Sequence, residues 1–101
     1  MNRPAAREPS RLIEVYEEIA RASRSMLDAA KAEDWERVAR IEADCRELID
    51  RIRIAARDER LGVGEARRRM EILRGVLQDD AQIRARSEPW LQDLNRILGV
   101  S

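Results

Sequence analysis

Residues 34–57 read DWERVARIEADCRELIDRIRIAAR, and this stretch decides the fold class. Val38, Ile41, Cys45, Leu48, Ile52 and Ala55 recur at alternating steps of three and four, the spacing of one face of an α-helix. Trp35 precedes that seam, and Ile49 and Ala56 flank it. Asp34 has the chemistry of an N-cap, because its carboxylate can accept a hydrogen bond from a first-turn N–H that lacks an intrahelical partner. Glu36 follows where the helix dipole favours an anion. The spacing predicts a helix over 35–57.

Lys31-Ala32-Glu33-Asp34 leaves room only for a tight turn, so a helix ending at Lys31 must lie antiparallel beside the one that follows. Upstream, Leu12, Tyr16, Ile19, Met26 and Ala30 form a second seam with Ser23 in its gap, and Ile13, Ala20 and Leu27 widen it. Glu14, Glu17, Glu18, Arg21, Arg24 and Asp28 fall on the other face. A helix over 10–31 with Ser10 as its N-cap is expected. Residues 1–9, bracketed by Pro4 and Pro9, have no periodicity and read as a disordered lead.

Downstream, DERLGVG at 58–64 reads as a connection, with Leu61 and Val63 tucked back on the bundle. A third helix is expected over 65–98. Its seam is Met70, Leu73 and Leu77, resumed by Leu91, Leu94 and Leu98, with Ile72, Val76, Ile83, Trp90 and Ile97 offset around the cylinder. Asp80, Arg84 and Ser87 interrupt the seam. Pro89 removes an internal hydrogen bond and crowds a preceding carbonyl, which predicts a kink or break near 85–88. Gly99 acts as a stop, leaving 99–101 as a tail. The expected architecture is all-α, an antiparallel up-down-up three-helix bundle with a long third helix.

Composition narrows the function. The 101 residues make one small domain whose core is thin, so burial against a partner or a second copy is a natural source of stability. Twenty basic residues balance twenty acidic ones, without the basic excess that phosphate neutralisation requires, so neither nucleic acid nor an anionic membrane surface is expected as a partner. There is no His and one Cys, hence no disulfide framework or zinc set, and no cofactor or metal is expected. No apolar run reaches signal-peptide or membrane-span length, and a cytoplasmic location is the expectation. Every basic residue but Lys31 is arginine, which is a bias of GC-rich coding before it is a surface of carboxylate-reading forks.

Few residues invite chemistry. Cys45 lies mid-seam, where a small buried hydrophobe is wanted. Trp35 reads as a plug at the bundle end. Asp80 and Arg84 stand at i,i+4 within the third seam, either solvated where that helix leaves the bundle or as a polar contact to a partner. Arg67-Arg68-Arg69 is flanked by Glu65 and Glu71 without interleaved aromatics, and reads as a solvated face. The first two helices are shorter than the third, so Trp90, Leu91, Leu94, Ile97 and Leu98 require cover from a partner, a second copy or the N-terminal lead.

Over about residues 12–99 the chain resembles the FliT-type flagellar export chaperones. The resemblance rests on Tyr16, on Ser23, Met26 and Leu27, on Glu33-Asp34-Trp35-Glu36, on Glu42 in an acid-rich second helix, and on Ile72-Leu73, Leu77, Asp80, Ile83-Arg84 and Pro89. It implies a non-enzymatic cytoplasmic chaperone of flagellar type III secretion. Such a chaperone binds the C-terminal region of the filament-cap protein FliD, prevents its premature assembly and delivers it to the export gate and its ATPase complex. Carried over by position, the partner-binding groove would fall on Ile49, Ile52, Leu73, Leu77 and Arg84. Enteric relatives also restrain the transcription activator FlhDC and continue into a fourth helix that can cover the groove, where this sequence ends at Ser101.

Two other readings compete. Arginine-rich three-helix chains of this length also resemble helical chorismate mutases, whose dimer buries an Arg/Lys-lined carboxylate site, although Lys31 falls in a turn rather than mid-helix. A coiled-coil assembly factor, including a homodimer, fits the seams without any client.

Overall fold

The computed structural model describes residues 11–87 and 96–99. Among the described residues three long helices follow one another: α1 over Arg11–Lys31, α2 over Trp35–Asp58 and α3 over Val63–Ser87. The arrangement is an all-α, up-down-up bundle. Ser10, Pro89, Trp90, Leu91 and Leu94, and with them the expected N-cap, lie outside the described residues, as do the lead at 1–9 and most of the tail; of the expected kink or break near 85–88, residues 85–87 are helical in α3 and the rest lies outside.

The α1–α2 turn is built from three backbone bonds and one strained residue. Ala32 N donates to Asp28 O, Glu33 N to Ala30 O and Asp34 N to Ala29 O, at 3.1, 3.0 and 2.9 Å. The last two bonds are those of a Schellman closure, which needs a left-handed residue. Glu33 takes that position at φ 60°, where glycine would carry no Cβ penalty. Asp34 then caps α2, its Oδ1 accepting from Arg37 N at 3.2 Å. One residue thus closes the end of α1 and opens α2.

The second connection is shorter than the sequence reading had it. Val63 and Gly64 are helical, because Gly62 sits at the N-cap: its carbonyl accepts from Ala66 N at 2.8 Å and its N–H donates to Glu65 Oε1 at 3.3 Å. The Glu65 bond is the return half of a capping box. Val63 is 81% exposed, so it does not tuck against the bundle as expected. Glu59, the C-cap of α2, reaches instead to the start of α1 and accepts from Leu12 N at 3.2 Å.

α1 is the core helix. It contributes Leu12, Ile13, Val15, Ile19, Leu27, Ala29 and Ala30 to the buried apolar set, whereas α2 adds Ala55 and α3 adds Ile72. α2 packs antiparallel on one flank of α1 and α3 packs parallel to it on the other. No Cα of α2 lies within 8 Å of one of α3. The bundle is therefore open: α1 is the floor, and the two outer helices are walls.

The face that α3 turns inward corrects the sequence reading. Ile72 is buried, at 3% exposure, and Val76 and Ile83 are half-buried behind it. Met70 and Leu77, assigned to the seam, are 46% and 69% exposed. The helix carries two apolar stripes; Ile72, Val76 and Ile83 lead the packing, and Leu73 of the expected seam is half-buried beside them.

A candidate partner-binding face

The two sides of this layer differ in chemistry. On one side α1 presents Glu17 and Glu18, and each reaches a different wall. Arg51 of α2 donates to Glu18 Oε1 at 3.0 Å. Arg68 of α3 donates to Glu17 through Nε at 2.8 Å and Nη2 at 2.9 Å, and to Glu71 through Nη1 at 3.1 Å. The bidentate bond holds the Glu17 carboxyl below its ordinary range, with the charges of Arg68 and Arg21 adding to the effect, and raises the Arg68 guanidinium. Arg69 donates from Nε to the Tyr16 hydroxyl at 3.1 Å, its guanidinium carbon 5.8 Å from the ring centroid. Two members of the arginine run are thus committed to α1.

Those ion pairs fix the opposite side as the apolar one. At about 100° per residue, Ile49 stands roughly 160° around α2 from Arg51, while Leu73 and Leu77 stand roughly 140° and 180° around α3 from Arg68. All three therefore turn to the side that the salt bridges do not occupy. Ile49 is 43% exposed, and Ile52 and Leu73 are half-buried at the feet of the walls. The pairings Glu18 with Arg51 and Ser23 with Asp79 set the levels of the helices, placing Ile52 near Leu73 and Ile49 near Leu77 to within a turn.

Arg84 continues the same stripe one level higher. Its Nε bonds Asp80 Oδ2 at 2.9 Å, and its side chain is 78% exposed. Within this chain the pair closes on itself, with Arg84 open to solvent and Asp80 half-buried. A matching i,i+4 pair, Glu42 with Arg46 at 3.5 Å, stands on α2. The face between α2 and α3 thus has an apolar lower half and an upper half edged by paired charges.

The charge that α3 does bury is the neighbouring residue, which the sequence reading missed. Asp79 is 2% exposed; its Oδ2 accepts from Ser23 Oγ at 2.8 Å and its Oδ1 from Arg24 Nη1 at 3.3 Å. A signal existed in Ser23, a hydroxyl at a seam position, and in the steps Ile72, Val76, Asp79, Ile83. Recognising it required knowing that these two helices meet.

Cys45 is half-buried in the α2 wall, and burial, reinforced by Asp44 and Glu42, pushes its thiol up. It therefore stays protonated at neutral pH and is a poor nucleophile. Trp35, 38% exposed, lies with Ala30, Lys31, Glu33 and Arg86 at the end of the bundle. Lys31 is the last residue of α1. Ile97 and Leu98, 80% and 65% exposed, are uncovered. Among the described residues no group of three or more His, Cys, Asp or Glu is placed to hold a metal ion, and no helix is long and apolar enough to cross a membrane.

Comparison with curated proteins and with solved structures gives no match. A family model does match: "Flagellar protein FliT" over residues 13–101, a span that takes in all of α2 and α3 and all but the first two residues of α1. With that coverage, the chain belongs to the FliT family of flagellar proteins.

Proposed function

We propose that this protein is a cytoplasmic flagellar export chaperone whose face between α2 and α3 holds the C-terminal region of the filament-cap protein FliD. It keeps that client from assembling early and passes it to the export gate and its ATPase complex. Family membership supports the flagellar role. The observation that carries the site is the outer stripe of α3: Met70 and Leu77 are exposed and Leu73 is half-buried, and by helical phase Leu73 and Leu77 share a side of the layer with Ile49. Water-exposed apolar area of this kind favours an amphipathic helix as occupant, with burial contributing about 25 cal/mol per Å² before ordering costs are subtracted. Arg84 and Asp80 lie at the rim, where charge selects the partner's orientation more than it adds affinity.

The enzyme reading finds less support. Lys31, the one lysine, is the last residue of α1 rather than a mid-helix residue, so it does not stand where a site of the chorismate mutase kind would use it. Control of FlhDC stays with the family resemblance and has no separate support in this face.

The test is capture of a purified C-terminal fragment of the cap protein, followed by calorimetry. Leu73→Asp with Leu77→Asp places two charges on the wall and is expected to abolish binding while circular dichroism stays helical. Ile54→Asp is the control: Ile54 is 58% exposed but neighbours Arg11, Glu14 and Asp58 on the charged side, so its replacement should leave binding unchanged. Capture that survives the double substitution overturns the site.

A further inference from the structure

The outer stripe of α3 is longer than the three residues of the proposed site, and more regular. Val63, Ala66, Met70, Leu73 and Leu77 recur at steps of three, four, three and four, the a and d spacing of a coiled coil over two heptads. At about 100° per residue the stripe is centred roughly 140° around the helix from Ile72, the residue buried against α1. Its a positions are open: Val63 is 81%, Met70 46% and Leu77 69% exposed. The next two positions of the same stripe are Asp80 and Arg84, which bond each other. The apolar part therefore ends at Leu77 and is about 20 Å long.

Arginines edge this stripe on one flank. Arg67 and Arg74 each stand four residues after an a position, Val63 and Met70, where a coiled coil carries the charges that choose its partner. Both are exposed, and neither is paired with any other described residue. The arginines between them are committed: Arg68 is held by Glu17 and Glu71, and Arg69 by Tyr16. Two guanidinium groups one heptad apart, about 10 Å along the axis, are thus left beside an open apolar stripe. We propose that the occupant of this stripe is an amphipathic helix that brings two acidic side chains, seven residues apart, to Arg67 and Arg74. The inference rests on the proposed client site and names the chemistry that the client must carry there. Burial of Met70, Leu73 and Leu77 supplies the attraction, and the two arginines turn away helices with a basic edge. The same charges disfavour a second copy of the chain, since an antiparallel α3–α3 pair sets Arg67 and Arg74 of one copy against Arg74 and Arg67 of the other.

The test uses two labelled peptides of three heptads with leucine at every a and d position, one carrying glutamate and the other lysine at every e and g position. Like charges keep each peptide from pairing with itself. Fluorescence anisotropy at low salt should show the full chain binding the glutamate peptide at least about tenfold more tightly than the lysine peptide, with the preference shrinking as salt rises. Arg67→Gln with Arg74→Gln should bring the two affinities to within about threefold, and Arg67→Glu with Arg74→Glu should reverse their order, with circular dichroism unchanged in both. Leu73→Asp with Leu77→Asp should remove binding of either peptide. Equal affinities in the parent, no binding of either peptide, or a preference that survives the glutamine substitutions overturns the proposal. So does a parent chain that pairs with itself through the stripe, seen as a doubled mass in sedimentation that Leu77→Asp returns to a single chain. The client site fails separately. A cap-protein fragment that still binds the Leu73→Asp, Leu77→Asp chain, with the peptide preference of the parent intact, retains the acidic-helix chemistry and places the cap protein elsewhere. Loss of the fragment in that variant without any peptide preference in the parent retains the client site and removes the arginines as its selector.

Discussion

The two sides of the helical layer are held differently. On the charged side, Glu17 and Glu18 tie both walls to α1 through Arg68 and Arg51, yet these side chains remain between 34% and 56% exposed. Exposed pairs of this kind contribute little each, because water already solvates the charges and ordering two long side chains costs entropy. On the other side, among the described residues, the Arg69 bond to Tyr16 is a neutral-acceptor contact rather than an ion pair, and Ile49, Leu73 and Leu77 have no described helix over them. Charge was not needed to keep that side apart, and apolar area was not used to bring it together. Ile49 and Leu77 are thus exposed and Leu73 half-buried, which is the apolar area on which the proposed client site rests.

The comparison breaks most readily at Ile72 and Leu77, one on each stripe of α3. Ile72→Ala removes a buried side chain from the contact with α1 and should cost about 2–4 kcal/mol in urea unfolding. Leu77→Ala removes a side chain that is 69% exposed and should cost less than about 0.5 kcal/mol. Equal costs would mean that the outer stripe is covered in solution and that the layer is not open.

Much of this was legible from periodicity. The α1 and α2 seams, the Asp34 turn and the antiparallel order follow from spacing and capping chemistry, which act within a few residues of each other. α3 was harder for a definite reason. Its two stripes are alike along the chain, and the one that packs is marked by a contact between Asp79 and Ser23, 56 residues apart in sequence. The same limit hid the exposure of Arg84, which is evident once its stripe is known to face outward. The start of α3 was misread because Gly62 and Gly64 suggest a loop, whereas Gly62 at the cap with Glu65 returning to its N–H begins a helix.

A smaller effect is expected at the α1–α2 turn, which belongs to neither side. Asp34→Ala loses the cap bond to Arg37 N and should destabilise by about 1 kcal/mol. Glu33→Gly relieves the left-handed strain at φ 60° and should stabilise by up to about 1 kcal/mol. Both leave the two faces chemically intact, so client binding should follow the folded fraction and nothing else. A change in affinity at saturating folded protein would show that the turn sets the spacing of the walls.

The weakest expected effect concerns the charged side itself. Arg68 holds the Glu17 carboxyl below its ordinary range, so in the folded state this group binds its proton less readily than in the unfolded chain. The stabilisation is then fully present above the unfolded carboxylate value of about 4.3, and it is lost as pH falls through the lower folded value. With both side chains well exposed, the amount is less than about 1 kcal/mol and should shrink in high salt. Glu17→Gln should therefore lower the urea midpoint slightly at about pH 7, and differ from the parent by progressively less as pH falls through the lowered folded value. A Glu17→Gln cost that stays large in high salt would show that the charged side does hold the bundle together. The contrast between a lightly tied side and an unfilled one would then no longer separate folding from binding.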